Sequence, residues 1–326
     1  MGGRYKEIRT MAAHRDLNMN VISMEGQLGS PHALLAGRPP VGEYLGFIKL
    51  YSMSGENVSN EELVKQWRLA NDHVRELERT EIGIADNAER LPVPASLEPL
   101  ADAILSSPLV KKSYADVPYS LETVKLDTLV VLQKHVNLSY VEDLKAQLGP
   151  NPTDEAIFKL CFPLNKPLPP VQARRVAPGN VFAFVSPSND LRFLDATLLP
   201  PSQIVGYETN GRIMGVIALA IGFGANCFSA ISANGRLILT NASHRAFALR
   251  DLGVTYAPCL IQHVSREEEF PLLLTPEMLT QISTLLTAPR PPLLKDFFQD
   301  RLRTIIRVPS QNRHVRVQFV QDAADV

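Results

Sequence analysis

Residues 230–263, AISANGRLILTNASHRAFALRDLGVTYAPCLIQH, decide the fold. Cys227, Phe228, Ala230 and Ile231 are an apolar run of strand formers, and Asn234-Gly235 after them is the strongest short hairpin signal, because both residues tolerate positive φ. Leu237, Ile238 and Leu239 make the return strand. Thr240 and Asn241 are good helix caps. Ala246, Leu249 and Leu252 then recur at helical spacing, with Ala242 and Phe247 as further apolar neighbours, and Gly253 signals the helix end. Ala257, Cys259 and Ile261 form the next strand, with Pro258 suggesting an edge or the strand's beginning.

The first turn of that helix holds Ser243, His244 and Arg245. A helix N-terminus carries unpaired N–H groups and about half a positive charge. A hydroxyl, an imidazole and a guanidinium placed there make a cradle for an oxyanion or phosphate. The plainer alternative is that Ser243 caps the helix, His244 packs and Arg245 is solvated.

The 326 residues allow one large domain or two ordinary ones, and 45% apolar with 21% charged residues is the balance of a chain with a globular core. A net charge of −1 excludes a broad nucleic-acid surface. Cys161, Cys227 and Cys259 are odd in number and lie in apolar surroundings, so they read as buried thiols of a reducing compartment, hence a cytoplasmic protein. No CxxC or His-rich spacing points to a metal. The longest apolar run, residues 213–231, is broken by Gly215, Gly222, Gly224, Asn226 and Ser229. It reads as a short buried helix ending near Gly222 followed by a strand, not as a membrane span.

Outside this block, glycines and prolines make residues 1–53 loop-rich, with a glycine turn at 26–29 and one strand through Tyr44, Leu45, Phe47, Ile48, Leu50 and Tyr51. Ser59 and Glu62 form a capping box for a helix over 58–78, whose stripe of Leu63, Trp67, Ala70, Val74 and Leu77 faces the core. A short helix follows over 97–105. Val124, Leu126 and 129–132 read as a strand, 133–137 as a polar loop and 138–148 as a helix closed by Gly149. Gln133, Lys134, His135 and Asn137 are a second polar cluster after a strand. They are either a solvated loop or the opposite wall of a site at Ser243. Further on come a helix over 153–160, a strand over 181–185, a strand or loop through Asp190, Arg192 and Asp195, and a helix over 212–221. Thr275-Pro276 opens another helix. Residues 294–306 read as a last helix, and Val315, Val317 and Phe319 as an edge strand.

Two of these blocks, 124–149 (VKLDTLVVLQKHVNLSYVEDLKAQLG) and 224–263, resemble the opening and closing halves of the ParB/sulfiredoxin-like superfamily. The resemblance implies an α+β fold: a mixed core over 121–270 with a segment inserted at about 150–223, an N-terminal loop-rich and helical region over 1–120, and C-terminal helices with an edge strand over 271–326. In that superfamily a glycine-rich or G-x-H-R-like turn opens the helix and holds nucleotide phosphates. Here 241–245, NASHR, stands in that place, so the resemblance implies Arg245 above all as a phosphate contact, with Asn241, Ser243 and His244 beside it; the 133–137 loop, with Gln133 and His135, closes the other side in the reading of the polar clusters. The family's glycines are absent, and Ser243 stands where sulfiredoxin chemistry uses a cysteine, so that redox activity is not implied.

The function expected on these grounds is binding of a phosphate-bearing small molecule, a nucleotide with Mg²⁺ among the cofactors considered, with a nucleotide-dependent hydrolase or phosphotransferase as its catalytic form. Glu142, Asp143, Asp190 and Asp195 are the acids considered for Mg²⁺ or as a base. Two alternatives stand beside it. One is a non-catalytic regulatory protein, with a homodimer as its assembly. The other is a cofactor enzyme ligated by one of His14, His32, His135, His244, His263 and His314.

Overall fold

The computed structural model describes residues 29–52, 59–176, 181–188, 190–206 and 211–318. Most of the expected turn at 26–29, His14 and Phe319 lie outside them. In chain order the elements are β1 (Ser30–Leu35), α1 (Val41–Tyr51), α2 (Asn60–Thr80), β2 (Arg90–Leu91), α3 (Glu98–Ser106), α4 (Pro108–Tyr114), β3 (Tyr119–Lys125), β4 (Val130–Val131), β5 (His135–Asn137), α5 (Leu138–Leu148), α6 (Asp154–Cys161), β6 (Gln172–Val176), β7 (Val181–Ser186), β8 (Leu191–Leu199), β9 (Val216–Phe223), β10 (Ser229–Ala233), β11 (Arg236–Asn241), α7 (Ser243–Asp251), β12 (Tyr256–His263), α8 (Phe270–Leu273), α9 (Pro276–Thr287), β13 (Arg303–Val308) and β14 (Arg313–Gln318). The fold is α+β.

The 230–263 block builds the centre of the molecule. Asn234 (φ 50°) and Gly235 (φ 77°) turn β10 back into β11, as their tolerance of positive φ demands. The chain then crosses through α7 so that β12 runs parallel beside β10. With β3, β2 and β4 these strands form a six-stranded sheet in the order β2-β3-β12-β10-β11-β4. Pro258 sits inside this sheet. It costs no ladder bond to β10, because β10 pairs only with 260–263 of β12.

A second sheet, β13-β1-β5, lies on the other side of α7. Alternation along β1 explains the stacking: Ala33 and Leu35 join the core around α7, while Leu34 and Ala36 pack against Tyr44 and Ile48 of α1, Leu63 and Ala70 of α2, and Ile306 and Val308 of β13. The far face of the six-stranded sheet, through Ile231, Ile238 and Val130, is covered by Phe270, Leu274, Ile282 and Leu285. Helix α7 is therefore enclosed between sheets, with Ser243, Arg245, Ala246, Phe247, Ala248 and Leu249 all buried.

Four expectations change. Residues 41–51 form a helix rather than a strand, because Tyr44 and Ile48, four residues apart, are its buried pair. The strand before the 133–137 segment begins at Tyr119 and breaks after Lys125, and His135–Asn137 is itself a strand, β5, on the edge of β1. Residues 216–223 are extended, since they pair along their whole length with β8. Residues 303–308 are also extended, their backbone claimed by β1, which leaves only a short 3-10 turn at Leu294–Phe298. Among the described residues no helix is long and apolar enough to cross a membrane. All three cysteines are free and buried.

Candidate functional site

Arg245 does not face a cleft. Its Nη1 donates to the carbonyls of Leu160 (3.1 Å) and Cys161 (3.0 Å), and its Nη2 donates to Asn226 Oδ1 (2.9 Å). Those carbonyls end helix α6, so the guanidinium closes the negative pole of one helix from the first turn of another. Asn241 also turns inward. Its Oδ1 accepts from the backbone N–H of Ala242, and its Nδ2 donates to Asn226 Oδ1 and the Cys227 carbonyl. Ala242, at φ 76°, is the residue that precedes the helix, one position later than the expected caps. Ser243 is 7% exposed. In place of a cradle open to a ligand, Arg245 and Asn241 tie the start of α7 to α6 and to the 226–227 segment, and Ser243 is buried beside them. Replacing Arg245 by Met is expected to cost about 2 kcal/mol through the orphaned α6 carbonyls, read by urea unfolding. A cost near zero would mean that the guanidinium has no structural role.

The histidines among the expected residues do meet, around a different point. His135 of β5 stands 3.1 Å from His32 of β1, Nδ1 to Nδ1, and the ring of Phe47 packs on His135 at 4.9 Å. His244 accepts the Asn137 N–H on Nε2 at 3.0 Å, with the Tyr140 ring edge-on at 5.4 Å. Nε2 is therefore unprotonated and the neutral ring carries its proton on Nδ1. Burial, then the neighbouring histidine, holds His32 down to about 4. Burial, then His135, His32 and Arg245, does the same to His244, and burial lowers His135. Among the described residues no three His, Cys, Asp or Glu side chains are placed to hold a metal ion.

Gln133 belongs elsewhere. It lines a 380 Å³ pocket bounded by the turn after β1, by α2, by residues 131–134 and by α9. Leu35, Pro39, Val74, Val131 and Leu285 give apolar walls, Arg38, Arg75 and Lys134 bring positive charge, and Glu43 and Glu78 bring negative charge. Arg38 is the residue that sequence reasoning missed. Its turn is fixed by α2: Trp67 Nε1 donates to the Pro39 carbonyl (2.8 Å) and Asn71 Nδ2 to the Gly37 carbonyl (2.6 Å). Gly37 has φ 78°, and a Cβ there would meet the backbone of Ala70 and Asn71 at 2.5 Å, so only glycine allows this approach.

So held, Arg38 points inward with its side chain 13% exposed. Nη1 donates to the Arg290 carbonyl at 2.9 Å, and Nε stands 3.6 Å from Asp296 Oδ2, an ion pair but not a hydrogen bond. Nε and Nη2 are buried and meet no hydrogen-bond acceptor among the described residues. Burial draws the guanidinium down to about 10 against the pull of Asp296, so it remains charged near neutrality. Behind it Arg290, fully buried, donates to both oxygens of Asp296 and to Glu81, and Lys295 completes the network on Glu81.

A larger cleft of 1050 Å³ lies between α2 and β13. Its charges are mixed, and two pairs meet there, Arg303 with Asp300 (2.7 Å) and His73 with Glu76 (3.0 Å). None of Glu142, Asp143, Asp190 and Asp195 lines either cleft. No protein-family model, no curated protein and no solved structure matches this chain.

Proposed function

We propose that the chain binds a phosphate-bearing small molecule in the 380 Å³ pocket, with Arg38 as its principal anchor. The observation that carries this reading is Arg38, a charged, nearly buried residue of the pocket lining whose Nε and Nη2 find no acceptor among the described residues. A buried donor left unpaired costs about 1–3 kcal/mol. An oxyanion supplies the missing acceptors once the Arg38 side chain turns from Asp296 toward the pocket, and it gains from the low dielectric there. Arg75 adds charge at the side, Gln133 and Gln281 add neutral donors, and the apolar walls suit the organic part of the ligand.

Binding is favoured over a nucleotide-dependent hydrolase or phosphotransferase. The carboxylates lining the pocket already face cations, Glu43 with Lys134 at 3.0 Å and Glu78 toward Arg38 at 3.9 Å. The ParB/sulfiredoxin-like resemblance remains part of the proposal on the order of strand, Asn-Gly turn, strand, helix and strand in β10, β11, α7 and β12, with the phosphate contact moved from α7 to Arg38.

Inorganic phosphate, pyrophosphate and ATP, CTP or GTP with and without Mg²⁺ are the probes, with thermal shift and calorimetry as readouts. At least one is expected to stabilise the protein saturably, and Arg38→Met is expected to weaken it at least about tenfold while the protein stays folded. No response to any probe at millimolar concentration, or a response indifferent to Arg38, would overturn the proposal.

A further inference from the structure

The inserted segment carries a feature that anion binding leaves unexplained. Strands β8 and β9 form a two-stranded ribbon that pairs with no third strand among the described residues. Its register places Leu191, Phe193, Ala196 and Leu198 opposite Phe223, Ile221, Leu219 and Ile217, so these eight side chains share one face. That face is buried only at its base. Leu191 is fully buried, whereas Phe193 is 52%, Ile217 58% and Leu198 71% exposed. A two-stranded ribbon has little stability by itself, and an exposed apolar surface of this kind marks an interface.

The two edges of the ribbon differ. The β8 edge carries Arg192 and Asp195, is bulged between Phe193 and Asp195, and is approached by β14. Charges and bulges are the devices that keep an edge strand from pairing. The β9 edge has none of them: Val216–Phe223 reads VIALAIGF, with no charge, no proline and an unbroken register. Its centre, IALAI over 217–221, is a palindrome. In antiparallel pairing about Leu219, Ile217 meets Ile221, Ala218 meets Ala220 and Leu219 meets itself, so large side chains face large and small face small.

We infer that β9 is a dimerisation strand, pairing antiparallel with β9 of a second copy of this chain about a two-fold axis at Leu219. The palindrome selects a second copy over an unrelated strand, because the five central residues of β9, Ile217 to Ile221, each meet their own kind only across such an axis. The contact is isologous, as a closed dimer requires. It joins two marginal ribbons into one four-stranded antiparallel sheet, past the size at which such a sheet is stable, and sets their apolar faces side by side. A contact this short is at the low end of stable interfaces, so dissociation is expected at about 1–100 μM.

Sedimentation equilibrium of the full chain across that range is the test. The wild type is expected to approach twice the 36.0 kDa chain mass. Ala218→Lys with Ala220→Lys sets like charges opposite each other twice across the axis and is expected to be monomeric. Ala218→Glu with Ala220→Lys sets Glu opposite Lys twice and is expected to remain a dimer. Below the dissociation concentration, circular dichroism and melting of the two double variants should coincide, since both alter the same two positions. A wild type that stays monomeric, a Lys/Lys variant that still dimerises, or a Glu/Lys variant as monomeric as Lys/Lys would each overturn the inference.

Discussion

Asp296→Ala is expected to destabilise the protein by about 3–5 kcal/mol, the cost of removing one partner from a buried ion pair. Asp296 is fully buried and receives two hydrogen bonds from Arg290, one from the Leu293 N–H at 3.0 Å, and the ion-pair attraction of Arg38 at 3.6 Å. Burial opposes the Arg290 charge, yet Asp296 and then Glu81 outweigh it, so its pKa stands above the ordinary arginine value. Without Asp296 the fully buried Arg290 keeps only Glu81, and Arg38 loses its nearest counter-charge. The melting temperature should fall on the order of 5–10 °C. Asp296→Asn, which keeps an oxygen acceptor, should fall between the two. A loss below about 1 kcal/mol for the alanine variant would show that the network relaxes or admits water, and that it does not set the position of Arg38.

The contrast between Arg38 and Arg245 shows what the sequence carried and what it did not. The centre of the fold was legible because its signals are local: Asn234-Gly235 for the hairpin, Gly253 after the helix, and the Thr275-Pro276 cap of α9, whose side chain accepts from the Met278 N–H. The burial of Arg245 was legible too, and was passed over. Ala246, Phe247, Ala248 and Leu249 are four consecutive apolar residues, a full turn with no polar side, and such a turn belongs in a core, not at a cleft. Arg38 was not legible. It lies in a Gly-Arg-Pro-Pro turn, 37–40, and its neighbours Arg290 and Asp296 come from about 250 residues further on, brought together only when β13 pairs with β1. The misread segments fail for a related reason. VIALAIGF has no polar position to reveal a period of two, and Phe297, Phe298, Leu302 and Ile305 fit a helix by spacing although β1 takes the backbone from Arg303 onward.

Acid should weaken this protein through its histidines before most of its carboxylates titrate. His244 is held from 6.5 to about 4, first by burial and then by His135, His32 and Arg245. A folded-state pKa below the unfolded one means that between pH 6.5 and about 4 the unfolded chain binds a proton which the folded chain refuses. Its stabilising contribution is therefore complete above pH 6.5 and is lost as the pH falls through that window, about 3 kcal/mol for His244. His32 shifts the same way, with a smaller share because water screens it, and His135 follows. The three are not additive. His32 and His135 face each other through Nδ1 atoms 3.1 Å apart, a geometry that accommodates one proton between them and opposes two. The nearest fixed charges are Arg245, which adds to the repulsion on His244, and Lys134, which is neutralised by Glu43. Urea unfolding from pH 7.5 to 4 is expected to show stability falling steeply below pH 6.5. His135→Gln is expected to flatten that slope, because it removes the charge that both partners feel. If the variant and the wild type lose stability in parallel, His135 adds nothing to the shifts of its neighbours, and the acid sensitivity comes from the burial of His244 and His32 or from carboxylates.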